Sequence, residues 1–432
     1  WIRDLWVDNE ESTGTYDALN LGTPECFVDN VEVDAAGRYG INFDGTGVQR
    51  YRMIGCSIQG TASKSSNMIG AHFASNCSHG LIGMHITNGN DGGSFYDEAF
   101  GNVYFGLKLL NDGAGTSFDI DGNMACGAAI NIFSPNGDAF DFSGDDCSFA
   151  ALSSRATSNG GVGLKLSGEN GAFQGIFNDG QGANAHGIQF LSGAQGNTVN
   201  ATVAGNEGAG VVLDNGLNYF TGSVFSNDGL GIDINSSGNI VDANVYNNGS
   251  SAINVGSGSF SENIVRGRYR AQNSSAHPVW WVGTDSIFDG IVSDGLIQIR
   301  NSGNVIKGQL LGGANLTNLA TDGLLIARVS GSLTKHASAN LAMITQYGVH
   351  KRIRALTGAA TLALTDDYVT ADTTSAGFTV TLPAATSWAE GKEYRIKNTG
   401  TGGNDLTVEG TTFSDGETAV FVSDGTNWID FS

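Results

Sequence analysis

The sequence predicts an all-β protein: a right-handed parallel β-helix followed by a small antiparallel β-sandwich. Three observations predict it. Between residues 159 and 255 an Asn-containing turn, a Gly or Ala, and an apolar-x-apolar triplet recur every 21 to 24 residues, which is a solenoid period. A second, Asn-headed strand pattern interleaves with the triplets, leaving no helical period between them. The composition supplies the corners, with 64 Gly, only 4 Pro and charged residues at 15%, because a coil needs a sharp turn at each one.

The triplets are Leu164-Lys165-Leu166, Ile188-Gln189-Phe190, Val211-Val212-Leu213, Ile232-Asp233-Ile234 and Ile253-Asn254-Val255. Each places two side chains inward and one outward. The interleaved strands are Asn197–Val203, Asn218–Val224, Asn239–Val245, Asn263–Tyr269 and Asn304–Leu310. Their fifth positions, Ala201, Gly222, Ala243, Gly267 and Gly308, form a column of very small residues. Coils from residue 25 to 330 at this period number about 13 and make a rod about 60 Å long. Before residue 150 the same pattern is less regular: Phe27–Val33, Tyr51–Ile58 and Gly80–Ile86 read as rungs, and Asn88–Phe100 reads as a loop. The predicted organisation is a β-helix over 1–330, a connector over 331–356 rich in Lys, Arg and His, and a sandwich over 357–432.

A net charge of −22 disfavours nucleic acid and anionic membranes as partners. There is no run of 18 apolar residues to span a membrane. The chain opens on Trp1 without the features of a signal peptide, and so reads as a trimmed or processed piece. Five cysteines are an odd count. Cys56/Cys77 and Cys126/Cys147, each pair one period apart, could stack on adjacent coils within disulfide range, but reduced core filling is the expectation. The turn residues Asn184, Asn206, Asn227 and Asn247 are expected to form an amide stack in a coil corner.

No nucleotide loop, zinc spacing, nucleophile elbow or calcium nonapeptide is present, so no cofactor and no metal are expected. Chemistry must come from outward columns. The column Lys165, Gln189, Val212, Asp233, Asn254, Trp280, Gln298 sets an aromatic platform among planar polar groups, the composition that sugar recognition requires. Asn254, Trp280 and Gln298 are its candidate substrate-binding residues, and packing under a loop or a neighbouring subunit is the competing role for Trp280. In the column Asn200, Thr221, Asp242, Arg266, Asp289, Lys307 the alternating signs favour an ion-pair ladder. The competing reading makes Arg266, Arg268 and Arg270 a cradle for acidic sugars, with Arg268 the candidate ligand. Hydrolysis needs two carboxyl groups about 5 to 9.5 Å apart. Glu207 and Asp228, at equivalent turn positions, with Asp233 nearby, are the candidate catalytic set; solvated turn decoration is their commoner fate. Asp91, Asp97, Glu98, Asp145 and Asp146 are rivals.

The segments Thr379-Val-Thr-Leu-Pro-Ala-Ala385, Tyr394-Arg-Ile-Lys-Asn-Thr399 and Ser423-Asp-Gly-Thr-Asn-Trp428 resemble the small β domain near the C-terminus of many bacteriophage tail fibres and tailspikes. Together with a pectin-lyase-like solenoid ahead of it, the resemblance implies a homotrimeric tailspike of the virion tail. It would attach to the phage tail or baseplate through a preceding N-terminal region and bind bacterial surface polysaccharide, capsule or lipopolysaccharide glycan. The resemblance further implies cleavage by an endoglycosidase, less readily by a lyase. A non-catalytic receptor-binding or structural fibre is the alternative, and a secreted lyase or epimerase a third.

Overall fold

The computed structural model describes residues 1–8, 17–34, 38–45, 47–59, 69–87, 93–110, 115–134, 137–156, 160–182, 184–256, 260–271, 279–281, 284–293, 296–299, 304–311, 315–318, 322–329, 333–335, 340–343, 353–363, 366, 368–387 and 392–432. Of these, 84–87, 134, 156, 271, 280–281, 296–299, 310–343, 353 and 387 are described by backbone alone. The chain divides into two compact units, Trp1–Ile344 and Thr345–Ser432.

The first unit is a parallel β-solenoid. One sheet of 15 strands is built from the triplets and another of 19 from the longer strands. Alternation makes both. In a triplet such as Leu164–Leu166 the outer two side chains are buried and the middle one is half-exposed, so each rung buries its apolar pair against the rung before and after. The predicted registers hold: Leu164 pairs with Ile188, Ile188 with Val211, Val211 with Ile232 and Ile232 with Ile253. Val212 differs from its column in being buried. The short-strand sheet runs from Leu19–Leu21 to Leu333–Lys335, and Asn340–Met343 still pairs with Asp322–Leu325. The coil therefore extends into the segment predicted as a connector.

The column of very small residues is also in register, Ala201 with Gly222, Gly222 with Ala243, Ala243 with Gly267. Its cause is not the core volume that the alternation suggests. Gly222 has φ +140° and Gly267 φ +124°, and a Cβ added to either would lie 1.9 Å from the carbonyl oxygen of the preceding rung, Ala201 or Ala243. The missing Cβ would point along the coil axis into backbone.

Asparagine columns close two corners. Asn206 Nδ2 donates to Asn227 Oδ1 at 2.8 Å, and Asn227 Nδ2 to Asn248 Oδ1 at 2.9 Å. The same oxygens accept the backbone N–H of the preceding Asn. Buried amides thus use both ends of their hydrogen-bonding capacity. Asn248 replaces the expected Asn247, which has φ +56° and turns outward, while Asn184 is exposed and outside the stack. The second column, Asn197, Asn218, Asn239 and Asn263, continues through Ser286 to Asn304. The five cysteines are free. Cys56 pairs in register with Met84 and Cys126 with Ser148, so equal spacing does not stack the cysteines, because the bulge at Gly55 and the turn before Ser148 shift the count.

The reading of Asn88–Phe100 as a loop is corrected over its described part. Phe95–Asp97 is a rung paired with Ala71–Phe73 on one side and Phe118–Ile120 on the other. Phe95 continues the core stack Phe43–Phe73–Phe95, with ring centroids 5.0 Å apart at each step. Asp97 points inward, wholly buried, and accepts hydrogen bonds from the Ala99 N–H at 2.7 Å, Asn102 Nδ2 at 3.0 Å and the Tyr104 hydroxyl. Asp91 lies outside the described residues.

Burial pushes the Asp97 carboxyl up to about 7, against the pull of those donors. An unfolded aspartate ionises near 3.8. Between these values the folded chain holds a proton that the unfolded chain has lost, so stability falls as pH rises from about 4 to about 7, and the penalty is fully present above that. The linked free energy is on the order of 4 kcal/mol. The melting temperature is expected to drop by several degrees between pH 5 and pH 8; a flat or rising profile would contradict the burial of an ionisable Asp97.

The second unit holds a five-stranded and a four-stranded sheet, the predicted sandwich with a different pairing. Ile353–Leu356, Tyr368–Ala371 and Glu393–Asn398 pair in parallel, as do Ala360–Thr361, Phe378–Thr381 and Leu406–Val408. Successive strands alternate between the two sheets, so each crossover is itself a strand. Among the described residues, antiparallel pairing joins Thr411–Phe413 to Leu406–Val408, and Thr418–Ser423 to Glu393–Asn398 and Trp428–Asp430. Alternating patterning is the same in both arrangements, which is why it did not distinguish them. The three segments carrying the resemblance meet: Trp428 Nε1 donates to the Pro383 carbonyl at 2.7 Å and its ring packs edge-on to Tyr394 at 5.1 Å.

Candidate functional site

In-register pairing turns the middle residues of the short strands into one outward strip. Read along the coil it runs Asn42, His72, Tyr96, Asp119, Asp141, Lys165, Gln189. Rung spacing sets consecutive members about 4.8 Å apart at Cα. Residues just beyond the strands join it, namely Asp17, Glu98, Asp121, Asp138 and Ser143.

At one end Asp17 takes a two-pronged contact from Arg38, Nε and Nη2 each at 2.8 Å, and a third hydrogen bond from Asn42 Nδ2 at 2.8 Å. Burial alone would raise its pKa, but the guanidinium and amide outweigh burial and hold the carboxyl below its ordinary value. Asn42 Oδ1 lies 2.7 Å from His72 Nδ1, and His72 Nε2 is 3.4 Å from Glu98. His72 is stacked between Tyr39, centroid 4.3 Å away, and Tyr96, at 5.4 Å. Burial lowers its pKa despite Glu98, which favours the neutral imidazole near pH 7. Tyr96 donates to Asp121 at 2.9 Å, and burial beside Asp121 and Glu98 raises its hydroxyl well above the usual range.

At the centre, Asp119 is half-buried and has no hydrogen-bond or ion-pair partner among the described residues. Burial, then the charges of Asp121 and Asp141, push its carboxyl up to about 7. Asp141, one rung on, is also raised by burial, with Lys165 opposing. Lys165 Nζ sits 2.7 Å from Asp141 and 3.3 Å from Asp138, and those carboxylates overcome burial to keep it charged. Two carboxyl groups on one face of adjacent rungs, one carrying a proton near neutrality and its neighbour held by an ammonium, can deliver a proton and stabilise positive charge side by side. Among the described residues no group of three or more His, Cys, Asp or Glu is placed to hold a metal ion.

Of the residues predicted from sequence, Glu207, Asp228 and Arg268 lie off this column, and Asp233, Asn254, Trp280 and Gln298 lie farther along it. Glu207 and Asp228 are exposed at successive turns; Glu207 accepts the Gly182 N–H at 2.6 Å, and no described contact joins either to Asp233. Asp233 belongs to the same outward column four rungs beyond Asp141, where it accepts from Asn254 Nδ2 at 2.6 Å and Asn235 Nδ2 at 3.1 Å. Trp280 pairs with Asn254 and Gln298 with Trp280 as the spacing requires, but their side chains lie outside the described residues. Arg268 is exposed on the other sheet. Among the rivals, Asp97 is in the core, Glu98 is in the strip, and Asp145 accepts the Glu169 N–H at 2.8 Å. The readable signal for the missed pair was Phe118-Asp119-Ile120 and Phe140-Asp141-Phe142, two triplets of the same form as those beginning at Leu164 and at the same period.

No family model and no curated protein matches the chain. Among solved structures it is similar to the A-module of the mannuronan C-5 epimerase of Azotobacter vinelandii, with TM-score 0.39 and 12% identity over 75% of this chain and 91% of that one. It is also similar to a mutant of the periplasmic alginate epimerase, with TM-score 0.22 and 13% identity over 73% of this chain and 77% of that one. Neither likeness is close enough to bear on chemistry.

Proposed function

We propose that this β-helix protein binds a bacterial surface polysaccharide and hydrolyses it on the strip centred on Asp119 and Asp141. The observation that carries the reading is the in-register pairing of Asp119 with Asp141 beside Lys165. Asp119, protonated, is the general acid for the glycosidic oxygen. Asp141, held by Lys165 Nζ at 2.7 Å, faces the anomeric carbon, and carboxyl groups on adjacent rungs, about 4.8 Å apart at Cα, suit a retaining displacement. His72, Tyr96 and Glu98 bind sugar on one side of the acids, and Gln189, Asp233, Asn254, Trp280 and Gln298 extend the same column on the other.

Catalysis thereby moves from the Glu207–Asp228 turns to a rung pair whose environment separates acid from base. The resemblance of the C-terminal segments supports the finer reading of a phage tailspike, trimeric about parallel axes and carried on the virion tail. Incubation with capsule or lipopolysaccharide glycan is expected to release new reducing ends without the ultraviolet absorbance of an unsaturated product. Absorbance would mean elimination, and binding without release would favour the non-catalytic fibre.

A further inference from the structure

The long-strand sheet carries a second outward track. Ser153, Ile176, Thr202, Ser223, Asn244 and Arg268 stand in register on consecutive strands, spanning about 24 Å at the rung spacing. At its start the surface sinks into a hollow of about 430 Å³, lined by Ser153, Gln174, Asn200 and Thr202 above the small residues Ala151 and Gly175. The hollow follows from the kink there, where Ala151 has φ +53° and the register shifts between Phe149 and Leu152. Beside the track Phe225 and Tyr246 stack at 5.0 Å with planes 4° apart, Tyr246 being 36% exposed.

The far end of the track is cationic. Arg266 and Arg268 both project outward and are exposed. The sequence favoured an ion-pair ladder through Arg266, and Asp242 and Asp289 do flank it in register. Among the described residues neither aspartate pairs with it, and neither Arg266 nor Arg268 has a side-chain hydrogen bond or ion pair. In the same coil Arg3, Arg38, Arg50, Arg52 and Arg155 each hold a carboxylate. In a chain of net charge −22, two adjacent unneutralised guanidiniums at the end of a row of hydroxyl and amide groups are an anion receptor.

We infer that this face is a non-catalytic binding track for an oligosaccharide bearing carboxylated sugars. The hydroxyl and amide row and the Phe225–Tyr246 platform hold the sugar rings, and Arg268 with Arg266 takes a carboxylate. The inference deepens the polysaccharide reading by naming an acidic glycan, and it concerns residues on a different sheet from Asp119 and Asp141.

The test is titration of the full chain with oligogalacturonate and with oligosialic acid, against a neutral dextran oligosaccharide of equal length. Wild type is expected to bind at least one acidic probe more tightly than dextran, with affinity falling as salt rises. Arg266→Gln/Arg268→Gln is expected to weaken that binding at least tenfold, and Asn244→Ala to weaken it by less. Glu207→Gln/Asp228→Asn, at exposed turns that belong neither to this track nor to the Asp119–Asp141 strip, is expected to leave it unchanged. The arginines are exposed and unpaired, so the double variant should fold, and an unchanged melting temperature verifies that. Equal affinity in the double variant, or no preference of wild type for either acidic probe, would overturn the inference whatever the fate of hydrolysis at Asp119.

Discussion

Gly222→Val is expected to yield no soluble folded protein, and Gly222→Ala already to lower stability severely. The first added carbon is the offending atom: a Cβ at this residue would lie 1.9 Å from the Ala201 carbonyl oxygen, and φ +140° is a conformation that L side chains rarely adopt. Backbone strain and overpacking together cost roughly 2 to 6 kcal/mol, comparable with the stability of a whole domain. Because the contact is between backbones of consecutive rungs, no side chain can swing away to relieve it. Gly267→Ala should behave alike, its Cβ meeting Ala243. Ala243→Gly in the same column should cost only about 0.5 to 1 kcal/mol. Expression yield and thermal melts of the four variants check this; wild-type melting of Gly222→Ala would show that the kink is not obligatory.

Asp119→Asn is expected to lower turnover by about 10²- to 10⁴-fold, the contribution of a positioned general acid, without loss of stability. The side chain has no hydrogen-bond or ion-pair partner to lose among the described residues, and removing the carboxyl relieves its repulsion with Asp121 and Asp141. Since the folded pKa is about 7, wild-type activity should fall as pH rises through that value and the acid loses its proton. Stability should move the same way, because the unfolded carboxyl ionises near 3.8 and the folded one resists. In Asp119→Asn at pH 8 the melting temperature should therefore equal or exceed that of wild type. A fall in both activity and melting temperature would assign Asp119 to the fold rather than to chemistry.

The solenoid was legible because each rung repeats the one before: five triplets and five Asn-headed strands fix period, register and face together. What escaped the sequence are the places where a residue breaks its local pattern. Asp97 is polar yet inward, since Asn102 and, on the strand that follows it, Tyr104 satisfy it, a contact that no alternation rule contains. Asn248 rather than Asn247 enters the corner because one positive φ rotates the chain. The smallness of Gly222 was legible, but its reason, a kinked backbone, was not. The acid pair was missed for a different cause. Asp119 and Asp141 are ordinary middle residues of ordinary triplets, and only stacking beside Tyr96 and Lys165, with the burial that follows, raises their carboxyls. Arg266 misled in the opposite direction, since neighbours in register with opposite charge need not touch.

The most direct measurement is the release of reducing ends from bacterial surface glycan by four proteins side by side: wild type, Asp119→Asn, Asp141→Asn and the turn variant Glu207→Gln/Asp228→Asn. Release by wild type and the turn variant, with both strip variants reduced by at least about 10²-fold, is the predicted result. Full release by the strip variants together with its loss in the turn variant would contradict the account.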